Sequence, residues 1–193
     1  MAASEEKHVC PVWVGYLLAS PLRKIFQNPR TILAPYVTPG MRVMDIGSAM
    51  GFFSLPLAQL VGPAGHVISV DLQQEMLDAL RRRARRANLD DRIEPRLCTL
   101  ESLAVDDLAG RIDFAVVFAV VHEVGDSSRL FAQIRAALKP AGRVLFAEPK
   151  GHVTEPAFRK SIAAAEAQGF RSVGSPHILR SHAVVLEKSK DAG

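Results

Sequence analysis

The stretch that decides the fold lies at residues 43–51 and reads VMDIGSAMG. A mostly apolar run ends there in a turn of small residues, and Phe52 and Phe53 then open a helical pattern. Small residues let a ligand approach the backbone closely, and the free N–H groups at the start of a helix bind its polar groups. The stretch therefore predicts a strand, a ligand-binding turn and a helix in succession.

On the C-terminal side of this turn, apolar runs with β propensity alternate with helical patterns, as in βαβ units and mostly parallel sheets. Strands are predicted at residues 42–47, 66–71, 92–97, 112–118 and 143–148, and helices at 52–61, 73–87, 128–138 and 155–168. Residues 170–179 and 181–188 are predicted to pair as an antiparallel hairpin, because too few residues separate them for a crossover helix. The fold class predicted is α/β with a doubly wound, Rossmann-like sheet.

The chain has 193 residues, 48% hydrophobic and 23% charged, which fits a single domain. Residues 1–40 are expected to form an N-terminal helical lid, because Ser20-Pro21 and Asn28-Pro29 are typical helix starts. Residues 41–188 are expected to form the core and residues 189–193 a flexible tail.

Cysteine usage and hydropathy indicate the compartment. Cys10 and Cys98 lack the spacing of a disulfide framework or a zinc site. No apolar run approaches the roughly 20 residues of a membrane span, and no basic-then-apolar leader opens the chain. We expect a soluble cytoplasmic protein with no membrane partner.

The formal net charge of +4 is concentrated at residues 81–86, which read RRRARR. A buried stripe is predicted on the same helix, formed by Met76, Leu77, Leu80, Ala84 and Ala87. Most of the arginines then lie on the solvated face, so nucleic acid is considered but disfavoured as a partner.

Two acidic residues indicate the ligand. Asp45 stands two residues before Gly47, where a carboxylate would repel a pyrophosphate but suits a cationic ligand such as S-adenosylmethionine. Asp71 ends the second strand, where it can accept hydrogen bonds from both ribose hydroxyls of an adenine nucleoside. Together the two positions predict an adenine nucleoside that carries positive charge.

A nicotinamide or flavin oxidoreductase is the rival interpretation. Its G-x-G-x-x-G pattern, counted from Gly47, falls on Ala49 and Phe52. A phenylalanine at the third position blocks the close packing of helix on strand that glycine permits. The sequence therefore disfavours a dehydrogenase.

The sequence resembles the class I S-adenosylmethionine-dependent methyltransferases over about residues 35–188. Within them it is similar to the small-molecule branch that includes ubiquinone and menaquinone biosynthesis enzymes. Their Asp-x-Gly-x-Gly-x-Gly loop corresponds to Asp45, Gly47, Ala49 and Gly51, with alanine at the middle glycine. The resemblance implies S-adenosylmethionine as cofactor, S-adenosylhomocysteine as product, and a seven-stranded sheet of order 3-2-1-4-5-7-6 with strand seven antiparallel.

The resemblance also implies a set of cofactor-binding residues: Asp45, Gly47, Ser48, Ala49, Gly51, Asp71, Leu72, Met76, Thr99, Leu100 and Phe118. Thr99 stands where the family often has an acidic residue that contacts the adenine amino group, and a hydroxyl accepts more weakly than a carboxylate. Two branches of the family are disfavoured. Residues 118–121 read FAVV in place of the motif of DNA amino-methyltransferases, and two cysteines are fewer than arsenite methyltransferases use.

The carboxyl edge of the sheet is where ligands bind in such folds. His122 is predicted to be the general base, because an ordinary pKa near 6.5 suits proton removal at neutral pH. The alternative for His122 is capping of a loop backbone group. Glu148 is a second catalytic candidate, and it is also placed to bind the acceptor or anchor its loop.

Acceptor-binding candidates are Trp13, Tyr16, Glu123, Lys150 and His152. For the two aromatic residues the alternative is packing against the domain, and Glu123 alternatively orients a neighbour or faces solvent. A metal held by His122, Glu123 and His152 is not expected, because the spacing matches no ligand motif. Methyl transfer to a small molecule is the favoured function, and an RNA-directed methyltransferase and a catalytically silent cofactor-binding module are the alternatives.

Overall fold

A computed structural model describes residues 27–190 of the chain. In chain order the helices and strands are α1 (Pro29–Leu33), β1 (Arg42–Ile46), α2 (Ser54–Val61), β2 (His66–Asp71), α3 (Gln74–Arg86), β3 (Ile93–Leu97), β4 (Ile112–Phe118), α4 (Ser127–Ala137), β5 (Leu138–Pro149), α5 (Glu155–Ala167), β6 (Phe170–Gly174) and β7 (Ser181–Lys188). Two short 3-10 turns, Asp106–Leu108 and Val121–Glu123, flank β4.

The strands of the described residues form one sheet in the order β3-β2-β1-β4-β5-β7-β6. The strands from β3 to β5 pair in parallel, and β7 pairs antiparallel with both β5 and β6. This arrangement confirms the predicted Rossmann-like topology and its antiparallel ending. Because β7 runs against its neighbours, its first residue lies at the edge where the parallel strands end.

Both faces of the sheet are covered, as in a doubly wound fold. Side chains alternate along each strand, so Met44 and Phe146 contact α4 and α5 on one face. Val43 and Leu145 lie on the opposite face, against α1, α2 and α3. The core is therefore continuous on each side, and the loops at the strand ends are left to form a site.

The predicted boundaries differ from the structure at the hairpin and before it. The strand predicted at 170–179 ends at Gly174, and Pro176, which has no N–H to donate to a ladder, follows two residues later. The helix predicted at 128–138 ends at Ala137, and β5 begins at Leu138 in place of residue 143. The register of β5 shifts between the pairs Ile112–Leu138 and Phe114–Arg143. Neither difference changes the strand order.

Helix α1 begins where the Asn28-Pro29 pair predicts. The Asn28 side chain accepts a hydrogen bond from the Arg30 N–H at 3.0 Å, and proline follows it in the first turn. The predicted helix at Ser20-Pro21 and the aromatic residues Trp13 and Tyr16 lie outside the described residues. The lid therefore stays a prediction.

Helix α3 has the predicted apolar stripe, with Met76, Leu77, Leu80 and Ala84 all buried. Ala87 is exposed, because it caps the helix instead of continuing the stripe. The exposed arginines are Arg82, Arg85 and Arg86. Within residues 27–190 no helix is both long and apolar enough to span a membrane.

Candidate functional site

A cavity of about 710 Å³ opens at the carboxyl edge of the sheet. The loops that follow β1 to β5 line it, together with the residues that precede β7. Parallel strands end at this edge, so residues far apart in sequence meet there. A cavity of this size is large enough to hold a small-molecule ligand.

The glycine loop, residues 47–51, forms the floor of the cavity after β1. A Cβ at Gly47 would lie 2.4 Å from Val120 Cγ2, and one at Gly51 would lie 2.3 Å from Leu80 Cδ1. Both glycines have positive φ, so backbone conformation and crowding each require glycine. Gly47, Ser48 and Ala49 line the cavity, whereas Gly51 is not among its lining residues and instead packs against α3.

Asp71 fastens the glycine loop to the end of β2. Its Oδ2 accepts a hydrogen bond from the Ala49 N–H at 2.8 Å, and its Oδ1 accepts one from the Gln73 N–H at 2.9 Å. Burial raises the pKa of Asp71. Each carboxylate oxygen has a second lone pair, so Asp71 can still accept hydrogen bonds from a ligand in the cavity that it lines.

Asp45 lies elsewhere than the sequence suggests. Strand alternation places it on the face of Val43, beneath α2, and it is not among the residues that line the cavity. Its Oδ2 accepts a hydrogen bond from Ser54 Oγ at 2.5 Å, and Ser69 Oγ donates to Ser54 Oγ at 3.0 Å. Burial raises the pKa of Asp45 to about 7. Asp45 therefore belongs to a buried network behind the loop, and its role toward a cationic ligand stays a prediction.

The predicted adenine end contains unusually exposed apolar side chains. Leu72 is 39% exposed and Leu100 is 53% exposed, and both line the cavity with Met76 and Phe118. Such apolar surface suits a planar ring. The Thr99 hydroxyl, which also faces this end, accepts hydrogen bonds from the N–H groups of Glu101 and Ser102, so it already holds its own turn.

His122 and Glu148 form a hydrogen-bonded pair across the next two strand ends. His122 Nδ1 lies 2.7 Å from Glu148 Oε2, and the His122 backbone N–H donates to Glu148 Oε1 at 3.3 Å. An ionised carboxylate only accepts, so Nδ1 carries the hydrogen and, in the neutral ring, Nε2 is the acceptor. The hydrogen bond to Glu148 raises the pKa of His122, and burial opposes this.

The two residues meet because β4 and β5 are parallel neighbours. His122 lies in the 3-10 turn after β4, and Glu148 is the penultimate residue of β5. The Glu148 side chain is 1% exposed and the His122 side chain 24% exposed. A buried carboxylate therefore orients an imidazole that lines the cavity. Glu148 also anchors the loop through the His122 N–H, which is the alternative given for Glu148, whereas the His122 ring binds a carboxylate and not a backbone group. The base role of His122 stays a prediction.

Of the remaining acceptor-binding candidates, Glu123 and His152 line the cavity and Lys150 does not. Glu123 lines the cavity with its Oε1 3.9 Å from His122 Nε2, and burial is the main cause that raises the pKa of Glu123. His152 also lines it, with its ring edge-on to His122 at 5.8 Å between centroids. Lys150 does not line it, because the chain turns there and its backbone N–H donates to the Arg180 carbonyl. Among residues 27–190, no cluster of three metal-ligating side chains could hold a metal ion.

Several cavity residues were not predicted from the sequence. Cys98 is half-buried, and burial raises the pKa of its thiol to about 11, so the thiol is neutral at pH 7. Arg180 precedes β7, and Gln27 bridges its neighbours by donating to the Leu179 carbonyl at 2.8 Å and to Ser181 Oγ at 3.1 Å. The antiparallel ending was the available signal, because it brings the start of the last strand to the edge of the site.

Known methyltransferases resemble this chain in sequence. A methyltransferase domain family matches residues 37–181. An arsenite methyltransferase of Halobacterium salinarum is 34% identical over 63% of this chain and 30% of its own length. A ubiquinone/menaquinone biosynthesis C-methyltransferase of Vibrio cholerae is 27% identical over 61% of this chain and 45% of its own length. The chain thus spans less than half the length of these relatives.

The fold also matches solved structures. A methyltransferase from Aquifex aeolicus that depends on S-adenosylmethionine superposes with a TM-score of 0.84 at 18% identity, and the match covers 93% of this chain and 100% of that one. The family match spans the glycine loop, Asp71 and the His122–Glu148 pair. The chain belongs to the class I S-adenosylmethionine-dependent methyltransferases.

Proposed function

We propose that this protein transfers the methyl group of S-adenosylmethionine to a small-molecule acceptor that gives up a proton, with His122 as the general base. The observation that carries the proposal is the His122–Glu148 pair, in which a buried carboxylate fixes the imidazole 2.7 Å away. The pair lies in the same cavity as the glycine loop and Asp71.

The residues at the β1 and β2 ends fit the cofactor. Any side chain at Gly47 would collide with Val120, which keeps the backbone of the loop accessible. Ser48 lines the cavity, and its Oγ is buried without a hydrogen-bond partner among residues 27–190. Asp71 would hold the ribose, and adenine would lie against these residues: Leu72, Met76, Thr99, Leu100 and Phe118.

The cofactor supplies an electrophilic methyl group on a sulfonium. Methyl transfer is an in-line displacement, so the chain has to hold the acceptor atom at about 3 to 3.5 Å from the methyl carbon and exclude water. His122 Nε2 would remove the acceptor proton, and Glu148 would stabilise the imidazolium that forms. Glu123 and His152 would border the acceptor beside this nitrogen.

The relatives' names support a small acceptor, since they refer to arsenite and to quinone biosynthesis. Cys98 is the one cysteine in residues 27–190, and its neutral thiol is a poor ligand for a metalloid. An organic acceptor therefore fits this cavity better than arsenite. The exposed arginines Arg82, Arg85 and Arg86 are not part of the cavity wall, so they give no support to RNA as the acceptor.

The test is a screen of the purified protein for S-adenosylhomocysteine release across phenols, thiols, amines and quinol precursors. We expect turnover with at least one acceptor class that has an acidic proton, and calorimetry should show binding of S-adenosylmethionine but not of NAD. Cofactor binding without turnover of any acceptor would favour a silent cofactor-binding module. Turnover with RNA alone would contradict the proposal.

A further inference from the structure

The charge of the cavity wall changes along the sheet. Asp71 lies at the β2 end, and Glu123 follows β4. Beyond β5, at the start of β7, the charged residue that lines the cavity is Arg180. The sheet order β2-β1-β4-β5-β7 therefore runs from an acidic cofactor end to a basic far end.

Arg180 has no acidic partner within the described residues. Other arginines among these residues do form ion pairs. Arg129 lies 3.6 Å from Asp126, and Arg143 and Arg171 both pair with Glu187. No carboxylate among residues 27–190 lies within ion-pair distance of Arg180. A guanidinium presents five donors in a rigid fork that matches a carboxylate or phosphate.

The backbone holds Arg180 in place at some conformational cost. Its φ is 59°, in the left-handed region that disfavours a residue with a side chain. The Lys150 N–H donates to its carbonyl at 2.9 Å, and Gln27 bonds to the residues on both sides of it. Asparagine or glycine would satisfy this conformation more easily, so the backbone alone does not explain an arginine here.

We propose that Arg180 binds an anionic group of the acceptor, so that the acceptor is a small organic acid whose nucleophilic atom lies several ångströms from its carboxylate or phosphate. This inference rests on the proposed function. Two strand spacings of about 4.8 Å separate β4, which precedes His122, from β7. An arginine side chain and a molecule the size of a hydroxylated aromatic acid are together long enough to span that gap.

The experiment compares the binding of para-hydroxybenzoate and of its neutral carboxamide to the full chain saturated with S-adenosylhomocysteine. The two probes differ in charge and keep the same phenol. We expect the wild-type protein to bind the acid about ten- to a hundred-fold more tightly, the range for a charge-assisted contact. Arg180→Asn, which tolerates the left-handed backbone, should abolish the preference, and Arg180→Lys should keep part of it.

Arg129→Gln is the matched control, because Arg129 also lines the cavity but is paired with Asp126. This variant should keep the preference for the acid. Equal or undetectable binding of acid and amide by the wild-type protein would overturn the inference, and so would a preference that survives in Arg180→Asn.

The turnover screen with S-adenosylmethionine, run on the same variants, separates this inference from the proposed function. If Arg180 confers a preference for acids but no acceptor is methylated, the anion site is supported and the proposed transfer is wrong. If neutral acceptors are methylated and acids have no advantage, methyl transfer is supported and the role of Arg180 is wrong.

Discussion

The cofactor end and the acceptor end of the cavity are built differently. At the cofactor end, one loop of consecutive residues, 47–51, supplies the floor, and Asp71 fixes it through backbone hydrogen bonds. At the acceptor end, His122, Glu148 and Arg180 come from three separate strand ends. In the proposed function, the first region binds mainly with its backbone and the second acts with its side chains. Variants should therefore divide into those that change binding and those that change chemistry.

The largest expected effect lies at the acceptor end. His122→Gln removes the proposed base and should lower kcat about 10²- to 10⁴-fold, the range for general-base catalysis. The dissociation constant for S-adenosylhomocysteine should change little. Steady-state kinetics and calorimetry on the same preparation measure both. His177→Gln is the control, since His177 is exposed and does not line the cavity. Undiminished turnover in His122→Gln would show that His122 is not the general base.

At the cofactor end, Gly47→Ala should destabilise the fold by about 2–5 kcal/mol, from left-handed strain plus overpacking. The new methyl group would lie 2.4 Å from Val120 Cγ2. Gly110→Ala is the control, because Gly110 also has positive φ but open space around its Cβ position. That variant should lose only about 1–2 kcal/mol. Denaturant unfolding measures the free energy of unfolding of both variants. Equal decreases would mean that the contact with Val120 does not contribute to the effect at Gly47.

Glu148→Gln should lower kcat about 10- to 100-fold, because the imidazolium loses its counter-charge. The sign of the pH effect follows from the pKa of His122, which Glu148 raises above the ordinary 6.5. Activity needs the neutral ring, so the wild-type rate should rise with pH through this raised pKa. In the variant the rising limb should move to lower pH. A pH–rate profile with an unmoved limb would contradict the pairing.

Asp71→Asn should weaken binding of S-adenosylmethionine and S-adenosylhomocysteine about 10- to 100-fold, as expected for hydrogen bonds to a charged group. At saturating cofactor, kcat should be close to the wild-type value. Titration calorimetry tests the first expectation and kinetics the second. This pattern is the reverse of that for His122→Gln. If both variants changed only kcat, or only the dissociation constant of the cofactor, the division between a binding region and a catalytic region would be wrong.

The smallest effect concerns Asp45, whose pKa burial raises from 3.8 to about 7. Between these values the folded protein binds more protons than the unfolded chain, so the free energy of unfolding should fall as pH rises across that window. Asp45→Asn should flatten this slope. Denaturant unfolding at pH 5 and pH 7 measures it, with the exposed Asp90→Asn as control. An unchanged slope would show that Asp45 does not titrate there.

The same division explains what the sequence could predict. The glycine loop and the strand order follow from local patterns, because small residues and alternating elements are written in consecutive residues. The face of the sheet on which the Asp45 side chain lies could also have been predicted. Side chains alternate along a strand, and Asp45 stands two residues after Val43 in β1. Its role at the cofactor stays a prediction, because its carboxylate lies behind the loop and not among the lining residues.

The acceptor end was harder, because its geometry depends on which strand ends become neighbours. His122 and Glu148 were both chosen as candidates, but their hydrogen bond spans 26 residues and depends on the pairing of β4 with β5. Arg180 lies in the irregular segment 175–180, where no periodicity indicates a direction. Lys150, two residues after Glu148, looked equivalent in sequence but does not line the cavity.

The position of β7 has a consequence for the order of folding. This strand follows β6 in sequence but lies between β5 and β6 in the sheet, and β6 pairs with no other strand. The parallel half, from β3 to β5, can therefore assemble while residues 181–188 are still being synthesised, and β6 can join the sheet only after them. In the proposed function, a nascent chain would gain the glycine loop, Asp71 and the His122–Glu148 pair before Arg180, so the proposed anion site would be completed only when the late strand has inserted.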